Sequence, residues 1–269
     1  MNRDQVKLFL ETRWLEFTPT DQQANQYIWE HHAPYSLWHL CRRGLFSNWV
    51  IPNRGRLAAD HLAAAHEAAR RFFAGRAPGW SWEVFEDDAD WVIPRLEEFG
   101  YRWAETVECM AARLPLYGAD PDQGSVAEAR VCRVRTEPEV RLALEMDDSY
   151  DEHTKEQLEA AIRRTTARLD HPDHTLYLAY WMEEPAAMSG MDFYPEEHLA
   201  YLNGATTKPG FRGRGLYSRI LGARVRDAWR CGLEWACTHA DTETSAPILK
   251  KHGFETLSKI HVYQTRSGD

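Results

Sequence analysis

The part of this chain best equipped for chemistry is GATTKPGFRGRGLYSRIL, running from Gly204 to Leu221. Thr206 and Thr207 end an alternating, strand-like run. Pro209 and Gly210 then turn the chain, and Arg212-Gly213-Arg214-Gly215 leads straight into a helical pattern. Glycines let a backbone approach a ligand closely, and the first N–H groups of a helix point outward at its positive end. Such a turn holds an anion, and a phosphate or pyrophosphate suits it. Arg212 and Arg214 add charge and paired donors. Two other phosphate motifs are excluded. A P-loop needs Lys-Ser/Thr after its last glycine, whereas Leu216 and Tyr217 follow Gly215. A dinucleotide fingerprint needs a third glycine, and Ser218 stands where it would fall.

Other reactive residue types form weaker sets. The five cysteines, Cys41, Cys109, Cys132, Cys231 and Cys237, are scattered without a CxxC pair. That argues against a disulfide framework or a zinc ribbon and reads as small buried side chains. His31-His32 and the HPDH run from His171 to His174 lack further ligands, so no metal is expected.

These residues must be carried by something. The chain has 269 residues, of which 43% are apolar and 27% charged, enough for a buried core and too apolar for wholesale disorder. Its net charge of −9 gives no basic footprint for nucleic acid or anionic lipid. No apolar run approaches the length of a membrane span, and the first residues lack a leader's apolar stretch. A soluble, cytoplasmic protein with neither nucleic-acid nor membrane partner is expected, as monomer or homodimer.

A Pro-, Gly- and Asp-rich stretch, LPLYGADPDQGS from Leu114, cuts the chain into similar parts, and the two parts repeat each other. Trp82/Trp235, Asp88/Asp241, Pro94/Pro247, Leu96/Leu249 and Gly100/Gly253 all stand 153 residues apart, and Tyr101/Phe254 continues the match. Each copy reads strand, helix, strand. The proline is expected in the helix's first turn and the glycine just past its end. The second half reads β-α-α-β-β-β-α-β-α-β, an α+β arrangement of mixed sheet with helices on both faces.

With the motif Arg212-Gly213-Arg214-Gly215-Leu216-Tyr217, the sequence resembles the GNAT superfamily of acyl-CoA-dependent N-acetyltransferases. That family's core pattern is Gln/Arg-x-x-Gly-x-Gly/Ala, between its fourth strand and third helix. Ile248 to Phe254 is similar to the family's later helix–glycine–aromatic signature. The resemblance implies two GNAT-like domains, each a mixed, mostly antiparallel sheet with helices on both faces. The expected division is a degenerate domain over 1–115, a linker over 116–130 and an acyl-CoA-binding domain over 131–269. It implies acetyl-CoA as co-substrate and an amine-bearing acceptor. Ala205, Thr206 and Thr207 would offer strand backbone to the pantetheine arm. Gly213, Arg214, Gly215, Leu216, Tyr217 and Ser218 would offer N–H groups to the pyrophosphate, with Arg212 and Arg214 at its edge. Tyr217 departs from the family's small residue, so its ring must turn away from the phosphates. The first half offers only Arg54-Gly55-Arg56-Leu57 in a comparable place, so one cofactor site is expected.

Many family members use a glutamate and a tyrosine for proton transfer, and the resemblance places Cys237 and Leu249 at those positions. Strand alternation puts His239 on the face of Trp235 and Cys237, toward the cofactor end. His239 is therefore a candidate base, with Asp241 as support and Tyr217 as a candidate acid. His239 could instead merely bond backbone, and Asp241 could cap a turn as its repeat partner Asp88 would. The missing residues also leave open a CoA-binding module without turnover.

Overall fold

The computed structural model describes residues 1–12, 27–40, 48–53, 57–116, 128–146 and 154–265. In chain order they form α1 (Arg3–Thr12), β1 (Tyr27–His32), β2 (Tyr35–Leu40), β3 (Asn48–Pro52), α2 (Ala59–Phe73), β4 (Ser81–Phe85), α3 (Ala89–Glu98) and β5 (Arg102–Arg113). The second half adds β6 (Ala129–Arg133), α4 (Glu137–Leu144), α5 (Lys155–Thr166), β7 (His174–Trp181) and β8 (Glu184–Tyr194). It continues with β9 (Leu199–Thr207), α6 (Leu216–Arg230), β10 (Trp235–Asp241), α7 (Ser245–Lys251) and β11 (Glu255–Gln264). The second half thus has the element order expected of it. The linker expected over 116–130 falls mainly on residues outside the described set.

The chain divides into two compact units. The N-terminal unit comprises Asn2–Cys109, His239–Ala246 and Thr256–Asp269. Its strands run β1-β2-β3-β4-β11, followed by β5. β3 and β4 are parallel, through Trp49↔Ser81 and Val50↔Trp82, whereas β11 pairs antiparallel with β4. The last strand of the second half therefore completes the sheet of this unit. One face is covered by α2 and α3, which bury Leu62, Phe73 and Leu96 with Trp82, Val84 and Leu37.

The C-terminal unit comprises Met1, Met110–Thr238 and Pro247–Glu255. Its mixed sheet runs β10-β9-β8-β7-β6, antiparallel except for β9 with β10. On one face α4 and α5 bury Val140 and Ile162 against Leu176, Leu178 and Met188. Capping boxes, Thr136 with Glu139 and Thr154 with Gln157, start both helices. α6 covers the other face, where Tyr177 and Arg133 both donate to Asp227 Oδ2 at 2.8 Å.

The repeat is legible in backbone geometry. Gly100 and Gly253 follow α3 and α7 with φ of 90° and 84°. The next residues, Tyr101 and Phe254, donate their N–H groups to Leu96 and Leu249 at 3.0 and 3.1 Å. Both are Schellman closures of one register, built on repeat-matched leucines that are fully buried. The prolines differ. Pro247 lies in the first turn of α7, as expected, but Pro94 lies well inside α3. That helix already begins at Ala89, after an acidic turn, Glu86–Asp88, that favours a helix N-terminus. Pro94 then leaves Asp90's carbonyl without its helical donor.

Candidate active site

The site is built from β9 outward. β9 pairs with β10 only over Leu199↔Trp235, Ala200↔Ala236 and Tyr201↔Cys237. The next bond on this edge comes from a side chain, the Thr238 hydroxyl donating to the Leu202 carbonyl at 2.7 Å. On the other edge the register with β8 slips: Ala205 faces Ser189 and Asn203 faces Gly190, leaving Gly204 unmatched at φ 41°. A bulge of this kind redirects a strand and exposes its backbone. Gly204 and Ala205 are exposed, and Thr206 and Thr207 are partly so.

Beyond β9 a short 3-10 turn, Pro209–Phe211, brings the chain to Arg212 and the two glycines. Gly213 and Gly215 have φ of 76° and 75°. N-cap residues normally hold an extended conformation. Here α6 starts from a left-handed residue with no side-chain cap, which only glycine adopts without strain. The first helical bond runs from Arg219 N–H to the Gly215 carbonyl at 3.1 Å. The N–H groups of Leu216, Tyr217 and Ser218 come before that ladder and face outward at the positive end of a four-turn helix. A Cβ built at Gly213 or Gly215 would meet no atom of the described residues within 4 Å, so the space above the turn is open among them.

The side chains around the turn are anchored. Arg212 Nε donates to the Thr207 carbonyl at 3.2 Å. The Arg214 guanidinium lies 4.7 Å from the Trp181 ring centroid and 5.7 Å from that of Phe211. The Ser218 hydroxyl meets His252 Nε2 at 2.9 Å, and burial holds that imidazole below its usual pKa. The Tyr217 ring turns inward, as the turn requires. Its hydroxyl lies in electrostatic contact, short of a formed hydrogen bond, with the buried Arg224 guanidinium, and burial raises the phenol's pKa. Arg224 Nη1 donates to the Gly190 carbonyl at 3.1 Å, while its Nε and Nη2 have no hydrogen-bond partner among the described residues.

The candidates His239 and Asp241 both make local hydrogen bonds. His239 Nε2 is 3.0 Å from the Leu10 carbonyl. A carbonyl only accepts, so that nitrogen carries the proton. Asp241 Oδ1 accepts from the N–H groups of Glu243 and Thr244 at 3.0 and 2.6 Å and from the Thr244 hydroxyl at 2.7 Å. These bonds hold its carboxyl below the usual range and close the turn after β10. Its repeat partner Asp88 accepts instead from Trp91 Nε1 at 3.1 Å. Cys237 and Leu249 are fully buried. Arg54, Gly55 and Arg56 lie outside the described residues. The HPDH histidines go to separate carboxylates, His171 to Asp173 at 3.4 Å and His174 to Asp192 at 2.6 Å.

A mixed sheet with helices on both faces carries a bulged strand and, next to it, an uncapped helix start whose first N–H groups are left open. Residues 139–254 match the model of the Acetyltransferase (GNAT) family. That segment of the chain is thus similar to a GNAT domain. Among solved structures it is similar to a GCN5-related N-acetyltransferase from Kribbella flavida, with 12% identity and a TM-score of 0.71 over 98% of this chain and 96% of that one. One from Sphaerobacter thermophilus gives 13% identity and 0.65 over 88% and 81%. A tandem GNAT protein from the clavulanic acid biosynthesis pathway gives 13% and 0.64 over 98% and 88%. At these identities the likeness is one of fold. No curated protein matches the chain. Among the described residues no helix is long and apolar enough to cross a membrane.

Proposed function

We propose that the chain is an acyl-CoA-dependent N-acetyltransferase that transfers acetyl from acetyl-CoA to a primary amine. The observation that carries this reading is the start of α6: two glycines at positive φ, no side-chain cap and open space above the first N–H groups. Helix-start N–H groups of this kind are donors for a diphosphate, and Arg212 and Arg214 flank them. The exposed backbone of Ala205 to Thr207 would pair with the amides of the pantetheine arm. The acceptor amine would attack directly with both substrates bound, its approach set by positioning rather than by a covalent enzyme intermediate. Fully buried Cys237 is poorly placed to carry an acyl group.

Isothermal calorimetry with acetyl-CoA tests the cradle, and thiol release on adding amines tests the transfer. Saturable binding well below about 1 mM is expected. No binding at that concentration would refute the reading. Binding without amine-dependent thiol release would leave a CoA-binding module.

A further inference from the structure

Transfer to an amine, which this inference takes from the reading above, needs a group to remove a proton from the ammonium form. On the sheet face of the C-terminal unit that carries α4 and α5, polar side chains from three adjacent strands form one connected line. His174 opens β7, Asp192 stands opposite it on β8, and Asn203 on β9 stands opposite Gly190. His174 Nδ1 is 2.6 Å from Asp192 Oδ1, and Asn203 Nδ2 donates to Oδ2 at 2.5 Å. The Asn203 amide reaches across β8 because residue 190 lacks a side chain: a Cβ there would lie 2.0 Å from Asn203 Oδ1.

This arrangement fixes protons. An ionised carboxylate only accepts, so His174 carries its proton on Nδ1 and presents a lone pair at Nε2. Asn203 gives its amide N–H to the carboxylate and keeps Oδ1 as an acceptor. Neither His174 Nε2 nor Asn203 Oδ1 has a hydrogen-bond partner among the described residues. The His174 and Asp192 side chains keep 13% and 19% exposure, enough to meet a ligand and too little for free solvation. Asn203 directly precedes the bulge at Gly204, so the line begins beside the strand backbone assigned to the pantetheine arm.

We propose that His174, Asp192 and Asn203 form the acceptor side of the site, with Asp192 and Asn203 Oδ1 seating a cationic primary amine and His174 Nε2 taking its proton. The ammonium gives one proton to Nε2, and the freed lone pair forms the C–N bond. The C–S bond breaks with its electron pair leaving on sulfur, and the second N–H proton ends on the thiolate. The protonated imidazole is stabilised by Asp192 and returns its proton to solvent.

Two substitutions in the full chain separate this role from strand pinning. His174→Gln keeps a donor for Asp192 and removes the base. Gly190→Ala displaces the Asn203 amide, whose Oδ1 and Cγ would lie 2.0 and 3.2 Å from the new Cβ, at a residue whose φ is ordinary. Each variant should bind acetyl-CoA within about twofold of the parent by calorimetry. With putrescine, glucosamine and lysine amide as acceptors, His174→Gln should lower kcat at least about 100-fold. Gly190→Ala should raise the amine KM more than about tenfold with little change in kcat. Imidazole 15N spectra of the parent should show the Nδ1–H tautomer. A proton on Nε2 overturns the proposal, as does a kcat in His174→Gln within about threefold of the parent. Absence of thiol release from all three amines, with acetyl-CoA bound, also overturns it. Failure of the parent to bind acetyl-CoA is a different result and removes the functional reading itself.

Discussion

Gly215→Glu is the sharpest probe of the cradle, because the structure separates its two effects. Gly215 has φ 75° and ψ 10°, so any L side chain there costs about 1–2 kcal/mol of folding stability. That strain acts on the fold and not directly on ligand affinity. The Cβ meets no atom of the described residues within 4 Å, so the new side chain need not distort those neighbours. What remains is a carboxylate beside the bound diphosphate. Two like charges about 5 Å apart at an effective dielectric of about 20 repel by about 3 kcal/mol, before salt screening. Even half of that weakens binding about tenfold. Gly215→Gln has the same shape and backbone strain without the charge. Calorimetry with acetyl-CoA should show a much larger loss for Glu than for Gln. The excess should shrink as salt rises to about 0.5 M. Equal affinities for the Glu and Gln variants at low salt, or no loss in either, would place the diphosphate elsewhere.

Further predictions concern the scaffold. Glu83 is buried with one carboxyl oxygen unpartnered among the described residues, and burial, then the nearby Glu105 charge, push its pKa from 4.5 to about 7. An acid whose folded pKa is raised binds its proton more tightly folded than unfolded, so the stability it favours is present below pH 4.5 and lost as pH rises to about 7. Glu83→Gln should therefore be more stable than the parent at pH 8, by up to about 3 kcal/mol, and nearly equal to it at about pH 4.5, in urea unfolding. A pH-independent difference would contradict this. Gly100→Ala and Gly253→Ala should each cost about 1 kcal/mol, since both glycines close the same Schellman motif at positive φ. A loss at one and none at the other would show that the repeat is not equivalent in energy.

The readable parts of the sequence were those where the backbone dictates residue type. The glycines at 100 and 253, placed just past a helix end, have the positive φ such a position needs; those at 213 and 215, read as letting a ligand approach, have it too. The constant spacing of the repeat located two matching helix closures, and the turns between β7, β8 and β9 marked them out as three successive strands. Three features escaped for different reasons. Pro94 is a permitted first-turn residue, but the acidic turn before Ala89 starts the helix earlier. In β1 and β2, the charged and histidine-rich YIWEHH and the break at Pro34 hide a hairpin whose register only pairing reveals. The line from His174 to Asn203 depends on cross-strand register, set by a bulge at Gly204 that no local pattern encodes. In sequence its histidine could only be read as half of an incomplete metal pair.

The two imidazoles that could serve as base illustrate what register adds. His239 and His174 each lie near one end of a strand, His239 with Nε2 on a backbone carbonyl and His174 with Nδ1 on a carboxylate. Their partners differ, and so does the outcome. A backbone carbonyl holds the proton on Nε2 of His239 and supplies no charge to support a second one. A carboxylate holds the proton on Nδ1 of His174, orients the ring, and stabilises the imidazolium that forms when Nε2 accepts. Strand alternation can nominate either residue. The carboxylate across the hydrogen bond is what favours His174 in the proposed role.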